Sequence, residues 1–232
     1  MKNFKIILIL LEKEKIFLKK YLLIIIVVLM AHSTSLFSSE VIAKGTESRQ
    51  NQCYSPASVK LKEDLRRLWI DHTIWTRDYI KSAVDNLEDK DKVLARLLKN
   101  QKDLGNSIKP YYGEEAGNKL AELLTDHIVI AGKIVDAVKS GNETNTKKYN
   151  AEWYKNADDI AEFLSKANPN WSVKELRDML YMHLKLVADT LEARMNRNWD
   201  ADIIAFDKGE DHIIKMADAL TEGIIKQFPD KF

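Results

Sequence analysis

Apolar residues recur at three- and four-residue steps from Ser55 onward, a spacing that places them on one face of an α-helix. Three of these apolar stripes contain a histidine where a helix would otherwise bury a leucine, at His72, His127 and His183. No segment has the two-residue alternation that is typical of a half-buried β-strand. The pattern therefore predicts an all-α domain whose helices carry histidines on their apolar faces.

The stripes are related to one another along the chain. His72, His127 and His183 follow one another at intervals of about 55 residues, and such self-similarity at a fixed spacing is typical of helical-hairpin repeats. Between the histidines, LLKNQKDLG at 97–105 matches WYKNADDIA at 153–161, at nearly the same interval. A third copy of this element, containing one inserted residue, is predicted at RNWDADIIA in the segment that follows Asn196. Repeats of this kind bury their apolar faces on one another.

Prolines mark the ends of the predicted helices. Pro56, Pro110 and Pro169 each precede a repeat histidine by about 15 residues, and proline suits the first turn of a helix. The predicted helices span residues 57–86, 90–108, 114–140, 145–167, 172–197 and 199–228. We expect them to form an up-down antiparallel bundle of about six helices, built from helical-hairpin repeats of about 55 residues, in one domain at 57–232.

The N-terminal part of the chain has a different pattern. Lys19 and Lys20 precede eleven apolar residues at 21–31, and a serine-rich stretch follows. As a helix these eleven residues would be about 16 Å long, whereas a helix needs roughly 20 residues to cross a bilayer. Such a run after basic residues is typical of a signal peptide. We expect residues 1–43 to be a signal peptide or N-terminal membrane anchor and 44–56 a short linker, so that the protein is secreted or extracytoplasmic and contacts a membrane only through an uncleaved segment.

Composition narrows the class of protein. Hydrophobic residues make up 45% of the chain, enough for a buried core, and the net charge is only +1. The sequence lacks the basic patch that is typical of nucleic-acid-binding proteins, and it does not identify a protein partner. Cys53 is the only cysteine, which rules out an intrachain disulfide. The chain also lacks the glycine-rich phosphate-binding loops and the nucleophile motif GxSxG.

The histidines predict a polar layer across the middle of the bundle. His72, His127, His183 and His212 each lie roughly four turns into a predicted helix, so their depths agree within about 6 Å. The stripe around His212 is unusual because it consists mostly of small residues, which leave room for a close neighbour or a ligand. The polar residues expected to support the layer are Asn100, Asp103, Asn156, Asp159, Asp71, Asp126 and Asp211.

Several interpretations of this layer remain open from the residues. It could be a hydrogen-bond network that fixes the register of the repeats, or the ligand set of a transition metal or a haem. It could also serve an enzyme in which a histidine acts as base and an aspartate orients it. A partner-binding scaffold without a site is a further alternative. Metal signatures such as HExxH, CxxC and CxxCH are absent.

One acidic run could also bind a cation, although a solvated helix face is the simpler interpretation. It comprises Asp200, Asp202, Asp207, Glu210 and Asp211.

Several phrases carry a resemblance that covers about residues 60–232. They are LWIDHTIWTRDYI, RLLKNQKDLGNSIKPYYG, WYKNADDIAEFLSKANPNW and MADALTEGIIKQFPDKF, and they resemble a family of uncharacterised bacterial proteins. Members carry names such as acetylglutamate kinase and glycosyltransferase. The sequence supports neither name, because it lacks a nucleotide-binding glycine loop and any α/β alternation. The resemblance implies a helical protein that is secreted or tethered to a membrane.

Overall fold

The computed structural model describes residues 55–232, which are helical apart from short loops and contain no β-strand. The prediction of an all-α domain is therefore confirmed. Five α-helices are assigned, with one turn of 3₁₀-helix at Pro229–Lys231: α1 Pro56–Asp85, α2 Lys90–Lys139, α3 Glu143–Ala167, α4 Val173–Met195 and α5 Trp199–Gln227. The predicted signal peptide or anchor at 1–43, nearly all of the predicted linker, and Cys53 lie outside the described residues. None of the helices within 55–232 is both long enough and apolar enough to cross a membrane.

Short polar side chains start four of the helices. Ser55, Asn142, Ser172 and Asn198 occupy the N-cap positions of α1, α3, α4 and α5. Each side-chain oxygen accepts a hydrogen bond from the backbone N–H three residues later, which satisfies a donor that has no partner inside the helix. Pro56 follows Ser55 as the first helical residue, where a backbone N–H is not needed.

Helix α2 replaces two predicted helices, 90–108 and 114–140. Pro110 lies inside it and supplies no N–H, and Gly113 has the non-helical backbone angles φ 84° and ψ 173°. The segments on either side of Gly113 fold back on each other. Their close approach is evident at Gly105, where an added Cβ would lie only 2.4 Å from the carbonyl oxygen of Gly117. The predicted interruption is thus present as a sharp bend inside α2, and residues 55–232 contain five α-helices where six were predicted.

The helices close into a bundle in which α1 packs against α2, α4 and α5. Helices α1 and α5 are antiparallel, since Arg66 binds Asp218 while Arg77, further along α1, binds the earlier residue Asp202. Asp202 is only 2% exposed, so this member of the acidic run is not on a solvated face. Burial is possible because the guanidinium of Arg77 donates two hydrogen bonds to the carboxylate, at 3.2 and 3.0 Å.

Candidate functional site

Three imidazoles meet in the middle of the bundle. His72 comes from α1, His127 from α2 and His183 from α4, and each is at most 4% exposed. The Nε2 atoms of His72 and His183 lie 3.4 Å apart, a separation at the long limit for a hydrogen bond between rings. The rings of His127 and His183 are stacked with their centroids 6.2 Å apart. The sequence therefore identified three side chains that the fold brings together.

The tautomer of His127 is fixed by Asn156 on α3. Nδ1 of His127 and Oδ1 of Asn156 lie 2.7 Å apart, and a carbonyl oxygen can only accept, so the imidazole donates from Nδ1. Asn156 in turn donates from Nδ2 to the carbonyl oxygen of Leu123, at 3.0 Å. The Nε2 atom of His127 consequently carries a free lone pair.

His72 has Gln101 of α2 as its neighbour. The Nδ1 atom of His72 and the Oε1 atom of Gln101 are both buried and lack a hydrogen-bond partner. Gln101 donates instead to the carbonyl oxygen of Leu97 and to Oδ1 of Asn100. A small rotation that lets His72 Nδ1–H donate to Gln101 would satisfy both orphan atoms. It would also leave the lone pair of His72 Nε2 directed at His183, as the free lone pair of an imidazole ligand would be.

His212 does not complete a ring of four equivalent imidazoles. Its Nε2 donates to the carbonyl oxygen of Met179, at 2.8 Å, and the side chain is half-buried. Asn100 and Asn156 make the corresponding bonds, to the carbonyl oxygens of Leu68 and Leu123. In all three cases the acceptor lies one helical turn before one of the three central histidines.

The donors of these three bonds, Asn100, Asn156 and His212, are themselves evenly spaced along the chain, at the interval of the predicted repeat. The sequence contained this spacing. Matching residue types does not reveal it, because His212 resembles the other histidines and because the predicted third copy lies at 197–205.

The aspartates expected in the layer lie outside it. Asp71 binds Arg96, while Asp103 and Asp159 bind Lys99 and Lys155 on their own helices. Asp126 and Asp211 are exposed. Consecutive helical residues point about 100° apart, so an aspartate beside a buried histidine is directed toward solvent. The histidine–aspartate pairs that an acid–base enzyme would need are therefore not formed among residues 55–232.

Burial keeps the three central imidazoles neutral. Desolvation lowers the pKa of His72 to about 3, with a further lowering from His127 and a smaller opposing contribution from Gln101. Desolvation also lowers the pKa of His127 to about 4, against the opposing hydrogen bond from Asn156. The pKa of His183 lies well below its usual value, again mainly through burial and then through the other histidines. Neutral imidazoles are the form that binds metal ions.

Within residues 55–232, however, no group of three or more His, Cys, Asp or Glu side chains is arranged to hold a metal ion. The two Nε2 atoms of His72 and His183 form at most half of a tetrahedral site. The lone pair of His127 would have to turn toward them to supply a third ligand.

A large cavity of about 440 Å³ lies beside the histidine layer. It lies between α1, α2, α3 and α4 and is partly open to solvent, and its walls are mostly apolar, including Ile80, Leu97, Ile128, Val135, Val187 and Leu191. Polar side chains lie at its rim, where α3 begins and α4 ends: Thr146, Asn150, Glu192 and Asn196. A volume in this range with apolar walls and a few polar groups is typical of small-molecule sites.

Trp153 separates the cavity from the histidines. Its indole lines the cavity and packs on the imidazole of His127, with ring centroids 5.1 Å apart. Its Nε1–H is buried and has no hydrogen-bond partner. None of the four histidines of the described helices lines this cavity. A haem bound there would therefore find no imidazole at the cavity wall as an axial ligand.

The chain was compared with protein-family models, with curated proteins and with solved structures, and none of the three comparisons found a match.

Proposed function

We propose that residues 55–232 form a binding module for a small, largely apolar molecule, which occupies the cavity between α1, α2, α3 and α4. The cavity volume of about 440 Å³ carries the proposal, because concave and mostly apolar sites of this size are where proteins bind small molecules. An apolar ligand that fills such a site gains dispersion contacts with its walls and removes apolar surface from water.

Binding of n-decanol, measured by isothermal titration calorimetry, tests this proposal. Ala131 lines the cavity, and Ala131→Phe would fill part of it with an aromatic ring. We expect decanol to bind the wild type and to bind this variant at least about tenfold more weakly, while the free energy of unfolding falls by less than about 1.5 kcal/mol because the ring enters empty space. The matched control is Ala151→Phe, which makes the same change on an exposed face of α3.

The proposal is wrong if the wild type does not bind decanol or related apolar molecules. It is also wrong if Ala131→Phe unfolds the domain while Ala151→Phe does not. That result would mean that packed side chains, and not a cavity, fill the space beside Ala131.

A transition metal on the histidine layer is the second candidate, and one distance favours it. Two ligand nitrogens on a tetrahedral zinc, each about 2.0–2.1 Å from the metal, lie about 3.4 Å apart. The Nε2 atoms of His72 and His183 have this separation, and Asn156 fixes His127 in the tautomer that a ligand needs. Elemental analysis of protein purified without a histidine tag, before and after reconstitution with Zn²⁺, tests it. One equivalent of Zn²⁺ per chain that is lost in His183→Gln would support the metal site. If the wild type retains no Zn²⁺ after reconstitution, the metal site is wrong.

We also infer that the domain contains three copies of a hairpin unit of about 56 residues. Support comes from the three equivalent bonds that Asn100, Asn156 and His212 donate to backbone carbonyls, and from the Lys99–Asp103 and Lys155–Asp159 ion pairs, which occupy matching positions. In this interpretation the polar layer fixes the register between the copies.

The site of action follows from the N-terminal pattern, and we propose that the binding module works outside the cytoplasm. Mass spectrometry of the protein from culture medium and from membranes tests this. A mature N-terminus near residue 44 would support cleavage, an intact chain in the membrane fraction would support an anchor, and an intact chain in the cytoplasm would contradict both.

A further inference from the structure

The rim of the cavity has one charged group, and it is acidic. Glu192 is the only side chain lining the cavity, among the described residues, that is charged at neutral pH. It is exposed near the C-terminal end of α4. The other polar side chains of the rim, Thr146, Asn150 and Asn196, are neutral.

Most basic side chains in neighbouring turns are paired with other carboxylates. Lys147, Lys148 and Lys185 pair with acidic residues of their own helices. Arg194 binds an aspartate of α1, and Arg197, in the loop after α4, does not line the cavity. Within the part of the chain that the structure describes, no cationic side chain lines the rim to receive an anionic head group.

The carboxylate of Glu192 makes no hydrogen bond or salt bridge with another described residue, although it contributes to raising the pKa of Lys185, after the larger effects of Asp189. The negative end of the α4 dipole lies at the same place and adds to the negative potential. A protonated amine on an apolar body would find a complementary charge here, whereas a carboxylate or phosphate would be repelled.

We propose that the ligand of this cavity is an apolar molecule carrying one protonated amine, with the apolar part inside and the ammonium group at Glu192. This inference rests on the proposed binding function and specifies its ligand class. The apolar walls hold the body of the ligand, and Glu192 selects its head group. A cation at an exposed carboxylate gains modestly, so we expect discrimination of a few fold.

The test compares n-decylamine, n-decanol and n-decanoate at pH 7 and at concentrations below micelle formation, by calorimetry with the full chain. The three probes share a tail and differ in charge. We expect the amine to bind about 2- to 5-fold tighter than the alcohol, and the carboxylate to bind weakest. In Glu192→Gln the amine should lose its advantage, and in Glu192→Lys the order of amine and carboxylate should reverse.

Glu63→Gln is the matched control, because Glu63 is an exposed glutamate on α1 about 20 Å along the helix from the part of α1 that lines the cavity. It makes the same change in net charge and should leave the order of the probes unchanged. Decanoate binding as tightly as decylamine, or an order that Glu192→Lys does not alter, would overturn the inference. If decanol also fails to bind, the proposed binding function fails with it, and if decanol binds, only the ligand class is wrong.

Discussion

The central imidazoles are surrounded by groups that accept or donate single hydrogen bonds but carry no compensating charge. Asn156 and Gln101 are neutral amides, and Trp153 contributes an aromatic ring. Protonating His127 or His72 would therefore bury an unpaired cation, which is much less favourable than leaving the ring neutral. The layer is stable only while its histidines are uncharged.

This arrangement predicts a loss of stability in acid. The folded pKa values of His72 and His127, about 3 and about 4, lie below the value near 6.5 of an unfolded chain. The unfolded state then binds more protons, so stability is complete above pH 6.5 and decreases as the pH falls toward 4. Each histidine contributes a slope of about 1.4 kcal/mol per pH unit.

Urea unfolding of wild type and His127→Gln between pH 7 and pH 4.5 measures this slope. Glutamine keeps a neutral N–H donor for Asn156 but cannot take up a proton. We expect the slope to be smaller in the variant by about 1.4 kcal/mol per pH unit. Equal slopes would show that carboxylates, and not this imidazole, dominate the acid response.

At the level of single residues, the sequence predicted the buried histidines but not how they pair. The positions of His72, His127 and His183 follow from helical periodicity, which determines depth and face. The role of His212 cannot be predicted from periodicity. Histidine and asparagine are different residue types in a sequence comparison, although both can donate an N–H to a carbonyl oxygen. The aspartates were misplaced because sequence adjacency does not mean proximity of side chains on a helix.

Helix α2 depends on a close contact between its two segments. At Gly105 an added Cβ would lie 2.4 Å from the carbonyl oxygen of Gly117 and 2.7 Å from the Cβ of Ala121. Backbone atoms cannot move aside as the end of a flexible side chain can. The absence of a side chain at Gly105 is therefore what allows the two segments to pack.

We expect Gly105→Ala to lower the free energy of unfolding by about 1–3 kcal/mol, the usual cost of overpacking. Gly209→Ala on α5 is the matched control, since nothing lies within 4 Å of the added Cβ. There alanine should stabilise the helix by about 0.5–1 kcal/mol through its higher helix propensity. Urea unfolding of both variants measures whether the free energy of unfolding falls or rises in each. A rise in Gly105→Ala would contradict the close contact.

The ends of the helices were well predicted, because they are determined locally. Ser55, Asn142 and Asn198 are good N-caps, and Pro56 suits a first turn. The bend at Gly113 was located within a few residues by Pro110. Gly113 itself has non-helical backbone angles, which interrupt the helical conformation inside α2.

The bundle as a whole is closed by ion pairs between its first and last helices. The side chain of Asp202 is 3% exposed and bridges Arg77 of α1 and Arg194 of α4. Asp218 makes a similar pair with Arg66 nearer the surface, where the side chains are 24% and 40% exposed. The two pairs offer a matched comparison of the same chemistry at different depths.

Asp202→Asn should lower the free energy of unfolding by about 1–3 kcal/mol, less than for a fully buried pair because Arg77 keeps some solvent contact. Asp218→Asn should cost at most about 1 kcal/mol. Added salt should diminish the second effect more than the first, since exposed charges are screened more strongly. Equal effects in urea unfolding at low and high salt would contradict the difference in depth.

The cavity is the feature of the whole molecule that the sequence could not predict. Its walls come from four helices, and its volume is what remains after side chains such as Ile128, Leu191 and Trp153 have packed. Each of these residues has the periodicity of an ordinary core position. Only their combined volumes in three dimensions distinguish a filled core from one with a vacant space.

The antiparallel contact between α1 and α5 brings the start of one helix beside the end of the other, and Lys231 reaches back to the carbonyl oxygen of Pro110 at the same end of the bundle. The order in which the helices are connected is therefore not the only one compatible with this packing. A short peptide joining residue 232 to residue 55, with the chain opened at the exposed Gly141, would give a circular permutant with every interhelical contact retained. The contacts between the helices, more than the order in which the chain connects them, specify this fold.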